Sequence, residues 1–166
     1  MELVNILNKR NEFTGEIKDR KTLIQNEYRN LVHIWVINSK GEFLIQKRSA
    51  SKKHYPNMWS VTSGCVRFDE SFIDTCKREL KEEMNVDLNE NNLEYIMSYK
   101  LRNIVVQVYV LYQDVDVSKI KLQEEEVSDY KFVTDDELKN MIKNRETAGS
   151  INYFEFFNRV LKYELE

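Results

Sequence analysis

Apolar and polar residues follow one another along this chain in blocks short enough to be strands, with three stretches that read as helices. "LVHIWVIN" (31–38) is apolar almost throughout and rich in β-branched and aromatic side chains. That pattern predicts a strand buried on both faces. "SKGE" supplies turn residues, and "FLIQKR" (43–48) returns as the partner strand. "LEYIMSYKLRN" (93–103) and "IVVQVYVLYQDV" (104–115) predict two more strands, with shorter ones in "WSVTSG" (59–64) and "DYKFVT" (129–134). Ahead of all these, "ELVNILN", "KRNEF" and "TGEIKDR" predict an N-terminal hairpin, and residues 21–30 are polar, helical or irregular.

Ser71 followed by Asp74 is a capping-box pattern and starts a helix near Phe72. Its Ile73, Cys76, Leu80 and Met84 recur at three and four and form one apolar stripe. Thr134 with Glu137 caps a second helix over 135–143. The third, 151–164, gathers Ile151, Phe154, Phe157, Val160 and Leu161 near one face that packs on the sheet. Strands and helices interspersed in this way indicate the α/β or α+β class with a mixed sheet. No repeat, low-complexity tract or linker interrupts the 166 residues, and four glycines and one proline leave few places for a boundary. A single domain over 1–166 is expected, with residues 1–30 as an N-terminal extension.

Composition narrows the function classes. Hydrophobic residues at 42% and charged ones at 32% exclude a disordered chain. A net charge of −3 gives no global attraction to a nucleic acid polymer or an anionic membrane. Any phosphate handled here must be neutralised locally. No apolar run approaches the roughly 18 residues of a membrane span. Cys65 and Cys76 are too few for a disulfide scaffold and lack zinc-site spacing. The expected location is a reduced cytoplasm. The aromatic C-terminal "INYFEFFNRVLKY" suits a core or the interface of a homodimer equally.

One feature of the first helix does not fit a plain solvated face. Glu79, Glu82 and Glu83 crowd within five positions, on an arc beside the apolar stripe rather than opposite it. They also lie near the helix C-terminus, where the macrodipole disfavours negative charge by a few tenths of a kcal/mol each. Like-charge neighbours add a similar penalty, which Lys77 and Lys81 are placed to relieve. Spacing alone leaves a solvated face and a metal site equally open. Hard divalent cations such as Mg²⁺ or Mn²⁺ take such oxygen ligands.

The wider context resolves this. From Gly64 to Val86 the chain resembles the Nudix box, a glycine, five residues, Glu, seven residues, Arg-Glu, an aliphatic residue, any residue, Glu-Glu, any residue, Gly and an aliphatic residue. Gly64, Glu70, Arg78, Glu79, Leu80, Glu82, Glu83 and Val86 stand where the pattern asks. The departure is Asn85 in place of the last glycine, at a helix end where Asn tolerates the left-handed conformation. Asp69 replaces a common glycine before Glu70. The lead-in "HIWVINSKGEFLIQKRSASKKHYPNMWSVTSGCV" and the tail "EEEVSDYKFVTDDEL" are similar to the Nudix branch of isopentenyl-diphosphate isomerase-like proteins, so the likeness spans roughly residues 30–140.

The resemblance implies an α/β/α sandwich and a hydrolase that cuts a diphosphate linkage in nucleoside diphosphate derivatives, with metal-activated water. It assigns Glu82 and Glu83 to the metal, Glu79 to the metal or to the attacking water, and the Gly64 carbonyl as a further ligand. Glu70 and Arg78 become a structural brace. Glu126 or Glu125, with Glu124 in the same acidic turn, is the auxiliary ligand or base. Arg48, Lys52 and Lys53 are candidate phosphate contacts. Two other readings stay open: a non-catalytic ligand-binding or regulatory Nudix domain, and an isomerase. Ser63 and Cys65 stand where the isomerase carries its cysteine and metal-binding histidine. His33, Trp35 and Cys76 are expected in the core, His54 in solvent, and Tyr55 and Trp59 are candidates for stacking on a base.

Overall fold

The computed structural model describes residues 1–164, with side chains through Lys162. The chain begins with the expected hairpin, β1 (Leu3–Leu7) antiparallel to β2 (Phe13–Asp19). Residues 21–30, read as helical or irregular, are mostly irregular. A 3-10 turn over Arg20–Thr22, capped by Asp19, leads through an irregular stretch into β3.

β3 (Arg29–Ile37) is the central strand of a seven-stranded mixed sheet. One edge runs parallel to β8 (Ile104–Tyr112), from Arg29 opposite Ile104 to Ile37 opposite Tyr112. Its other edge is shared. β6 (Thr62–Cys65) pairs along residues 31–34, and β4 (Phe43–Arg48) takes only the last two positions. β4 then pairs with β5 (Trp59–Ser60) and β9 (Val127–Val133), while β7 (Leu93–Leu101) lies beyond β8. Because β4 and β6 divide one edge of β3, side chains from both strands meet below the first helix.

The apolar run of β3 fills both faces of the sheet. Val32, Ile34 and Val36 pack with Cys76, Leu80 and Met84 of α1 (Phe72–Met84). Trp35 points the other way, against Phe154, Phe157 and Leu161 of α3 (Phe154–Glu164) and Leu138 and Met141 of α2 (Asp135–Lys143). Its indole stacks on Phe157 with ring centroids 4.7 Å apart. The result is helix, sheet, helix: an α+β sandwich with a mixed sheet. Among the described aromatic side chains of the C-terminal segment only Phe156 is exposed, so that segment supplies core.

Both capping boxes form, Ser71 with Asp74 and Thr134 with Glu137. Several boundaries move. The strand read over 104–115 stops at Tyr112, and the strand read from 129 already begins at Val127. The last helix starts at Phe154, after a separate 3-10 turn over Gly149–Ile151. That break turns Tyr153 so that its hydroxyl accepts from Trp35 Nε1 at 2.8 Å and meets His33 Nδ1 at 2.9 Å. His33 is thus the buried, hydrogen-bonded histidine expected, and burial pushes its pKa down to about 4. Ile73 departs from its predicted stripe and is 39% exposed. Thr75 is buried instead, where its hydroxyl donates to Glu70 Oε2 at 2.9 Å. The buried arc of α1 is therefore rotated toward Thr75, Glu79 and Glu83.

Candidate active site

The site is built where β6 runs into a loop, 66–71, and the loop into α1. Gly64 is required by proximity rather than by backbone angle. A Cβ there would lie 2.0 Å from both Cδ and Oε1 of Glu79, so only glycine lets that carboxyl rest against the main chain. Asn85 closes the helix at φ 57°, ψ 37°, the left-handed region that the missing glycine would have occupied. Its amide also donates to the Lys119 carbonyl at 2.8 Å, a tie that glycine lacks.

Arg78 organises the acids. Its Nε donates to Glu70 Oε1 at 2.6 Å and its Nη2 to Glu70 Oε2 at 2.9 Å, a two-pronged pair. Nη2 also reaches the Cys65 carbonyl at 3.1 Å, tying helix to strand. Nη1 donates to Glu79 Oε1 at 2.6 Å and stands 3.5 Å from Glu82. Burial works upward on the Glu70 carboxyl, but the hydrogen bonds from Arg78 and Thr75 outweigh it and hold its pKa below the ordinary value. Lys77 and Lys81 do not relieve the glutamates as expected. They pair outward with Glu90 and Asp87, and Arg78 takes that role.

Glu79 and Glu83 are buried, whereas Glu82 is exposed. Desolvation raises the Glu79 pKa to about 7 against the pull of Arg78. Desolvation with the nearby Glu79 charge raises that of Glu83 to about 8. Glu83 is oriented from below: Gln46 Nε2 donates to its Oε2 at 2.8 Å, and Thr62 Oγ1 donates to Gln46 Oε1 at 2.9 Å. β4 and β6 thus place a buried amide under the glutamate.

Glu79, Glu82, Glu83, Gly64, Lys52 and Glu126 share one cleft of about 600 Å³. Lys52 pairs with Glu126. Arg48 and Lys53 do not line it: Arg48 Nε donates to the His54 carbonyl at 2.9 Å, and Lys53 is exposed. Glu124 and Glu125 are also exposed and outside it. Neither Tyr55 nor Trp59 reaches the cleft; the Trp59 ring lies under Lys131 Nζ at 4.5 Å. His54 is exposed and Cys76 fully buried, as expected.

Among the described residues no three acidic, His or Cys side chains already converge as a cage. Arg78 and Lys52 hold Glu79 and Glu126, so a cation would exchange places with their charges. The donor set nevertheless fits a hard divalent ion: carboxylates and a main-chain carbonyl, two of the carboxyls being desolvated so that their ionised forms would gain from a cation.

The NUDIX domain model matches residues 27–153. The chain belongs to the Nudix family. It is 32% identical over 162 residues to an uncharacterized Nudix hydrolase of Listeria monocytogenes, covering 96% of this chain and 94% of that protein. A Deinococcus radiodurans crystal structure superposes with a TM-score of 0.77 at 25% identity, covering 96% and 99% of the two chains. A MutT protein from Methanosarcina mazei shares the fold at a TM-score of 0.66 and 22% identity, over 87% of this chain and all of the other. The protein is a Nudix hydrolase.

Several residues in this Nudix hydrolase's cleft, and two buried beneath it, were not foreseen. Gln46 stood in the recognised lead-in without a role, and Thr62 carried no local signal. Glu2 and Leu3 come from the start of the hairpin, Arg20 and Lys21 from the 3-10 turn that follows it, and Arg67 and Phe68 from the loop before α1. No spacing rule links residues 2–21 to 64–83.

Proposed function

We propose that this Nudix hydrolase is a metal-dependent pyrophosphohydrolase, with Mg²⁺ or Mn²⁺, acting on a small nucleoside diphosphate derivative. The observation that carries the reading is the grouping of Glu79, Glu82, Glu83 and the Gly64 main chain on one cleft, with Glu79 and Glu83 desolvated. Glu82, Glu83 and the Gly64 carbonyl would hold the cation, with Glu126 as a further ligand once Lys52 moves aside. The cation supplies positive charge to the diphosphate and acidifies a water.

The protein's own groups do the rest. Glu79, with a pKa near 7, is suited to take a proton from the attacking water at neutral pH. Arg78 and Glu70 hold the loop and helix in one geometry, and Gln46 fixes the Glu83 carboxyl. The new bond joins the water oxygen to phosphorus, and the bridging oxygen leaves with the other phosphate. Lys52 is placed to meet phosphate charge.

The chain is read as one domain with the hairpin as an extension, in the branch resembling isopentenyl-diphosphate isomerase-like proteins, and located in the cytoplasm. The lead-in motif supports the branch. Isomerase chemistry itself is disfavoured by Ser63 and by Cys65, a thiol 2% exposed whose pKa burial raises. The test is product release from a panel of nucleoside diphosphate derivatives with Mg²⁺. Turnover that Glu82→Gln and Glu83→Gln each lower by about 100-fold or more is expected. Binding without any turnover would mark a non-catalytic domain and overturn the proposal.

A further inference from the structure

The hairpin is built into the cleft rather than appended to the fold. The Phe68 amide donates to the Leu3 carbonyl at 3.0 Å, and Asn5 Nδ2 to the Phe68 carbonyl at 3.2 Å. Val4 and Ile6 form a small core with Cys65, the neighbour of Gly64. The Arg20 amide donates to the Glu2 carbonyl at 2.9 Å, which pins the 3-10 turn to β1.

Charge is ordered across this contact. Arg20 pairs with Glu2 at 2.9 Å, Glu2 stands 3.9 Å from Arg67, Arg67 3.8 Å from Glu70, and Glu70 pairs with Arg78. Arg78 then meets Glu79. The charges alternate in sign along the series, with Glu79 at its α1 end and Arg20 at its far end, in the turn after the hairpin. Arg20, Lys21 and Arg67 all line the cleft there, against the acids Glu2 and Asp69. Among the described residues the Lys21 ammonium makes no ion pair, and each arginine keeps donors beyond its contact with Glu2. Phe68, 43% exposed at the same rim, offers an apolar surface beside them.

We propose that the hairpin supplies the cationic wall of the substrate cleft and selects nucleoside diphosphates joined to a group that itself bears a phosphate. This rests on the hydrolase reading above. The diphosphate to be cut lies at the glutamates. A neutral sugar or alcohol beyond it would leave the Lys21 ammonium, and the arginine donors not engaged by Glu2 and Glu70, without an anionic partner. A phosphate monoester, with close to two negative charges and three acceptor oxygens, matches them.

Two readouts test this. In the first, inorganic tripolyphosphate is titrated calorimetrically into the protein in chelator, so that no cation or turnover contributes. Lys21→Glu is expected to weaken binding about tenfold, the worth of one well-placed charge contact, and Lys21→Met about threefold. Lys143→Glu makes the same charge change on α2, in the opposite helical layer, and is expected to stay within about twofold of wild type. Lys21 is exposed, so these variants should fold, which thermal melting verifies. In the second readout, kcat/KM is compared for a nucleoside diphosphate sugar with and without a phosphate on the sugar. Lys21→Glu should lower that ratio about tenfold relative to Lys143→Glu. Equal effects of the two variants in either readout overturn the proposal. If wild type turns over no substrate, the calorimetric comparison decides the hairpin's role, and only the hydrolytic reading falls.

Discussion

Replacing Gly64 with alanine adds one methyl group and tests the whole site. The new Cβ would lie 2.0 Å from Glu79 Cδ and Oε1 and 2.3 Å from Cγ. An ordinary carbon contact is about 3.5 Å, so the carboxyl must retreat by about 1.5 Å. Backbone strain is not the cause, since Gly64 is not among the residues with positive φ. Withdrawal breaks the 2.6 Å contact with Arg78, a charge-assisted bond worth roughly 1.5–3 kcal/mol. Alanine returns about 0.4–1 kcal/mol by restricting the unfolded chain. The net loss of about 1–2 kcal/mol lowers Tm by a few degrees in a protein this size. Activity should suffer far more, because a reacting group displaced by over an ångström costs about 100-fold. Melting temperature, Mn²⁺ binding by electron paramagnetic resonance and kcat/KM separate the two effects. A second variant sharpens the test: Glu79→Asp shortens the side chain, so adding Gly64→Ala to it should cost much less than in wild type. Activity of Gly64→Ala within threefold of wild type, or full additivity with Glu79→Asp, would refute the proposed placement of Glu79.

Three further outcomes follow from contacts around the site. Glu70→Gln removes the two-pronged carboxylate partner of Arg78, leaving it Glu79 and Glu82, and should cost roughly 2 kcal/mol in urea unfolding; Arg78→Lys should cost a similar amount, because an ammonium cannot span both Glu70 oxygens. Gln46→Leu keeps the volume but removes the donor to Glu83, so Mn²⁺ affinity should fall at least about tenfold while the chain stays folded; unchanged affinity would show that Gln46 only fills space. His33 titrates near pH 4 in the fold and near 6.5 in the unfolded chain, so between those values the unfolded state holds the extra proton and stability drops as pH falls, by about 3 kcal/mol in total. His33→Gln should flatten that part of the curve in urea titrations from pH 7.5 to 4.5, and an unaltered slope would assign it to other groups.

What could be read in advance was whatever is local. β3, both capping boxes and the spacing from Gly64 to Glu83 each sit in a short window, and hydrophobic period or motif distance reports them directly. Ile73 misled because a period of three and four defines a stripe without saying which arc of the helix meets the sheet. Lys77 and Lys81 misled for a related reason: their sequence distance suits the glutamates, but their side chains reach Glu90 and Asp87 instead. Gln46, Thr62 and the cations Arg20 and Lys21 were invisible because each joins the site, the first two from beneath Glu83 and the others at the cleft wall, only through tertiary contact. Gln46 meets Glu83 only because β4 and β6 share one edge of β3. Arg20 and Lys21 enter only because β1 docks on the loop before α1.

The three glutamates carry a cost that the rest of the fold does not explain away. They occupy the wrong end of the helix for its dipole, two of them are desolvated, and the lysines within reach turn elsewhere. One arginine is shared among Glu70, Glu79 and Glu82, which cannot neutralise all of them. A helix selected for stability alone would carry alanine, lysine or glutamine at such positions. Stability is thus given up at adjoining positions in one cleft, and always in favour of anionic oxygen. That pattern predicts a concrete linkage: added Mg²⁺ should raise Tm of the wild type, and more at pH 8 than at pH 6, because burial holds protons on Glu79 and Glu83 at the lower pH. Glu83→Gln should abolish most of that gain, whereas an equal gain in the variant would place the cation away from the helix.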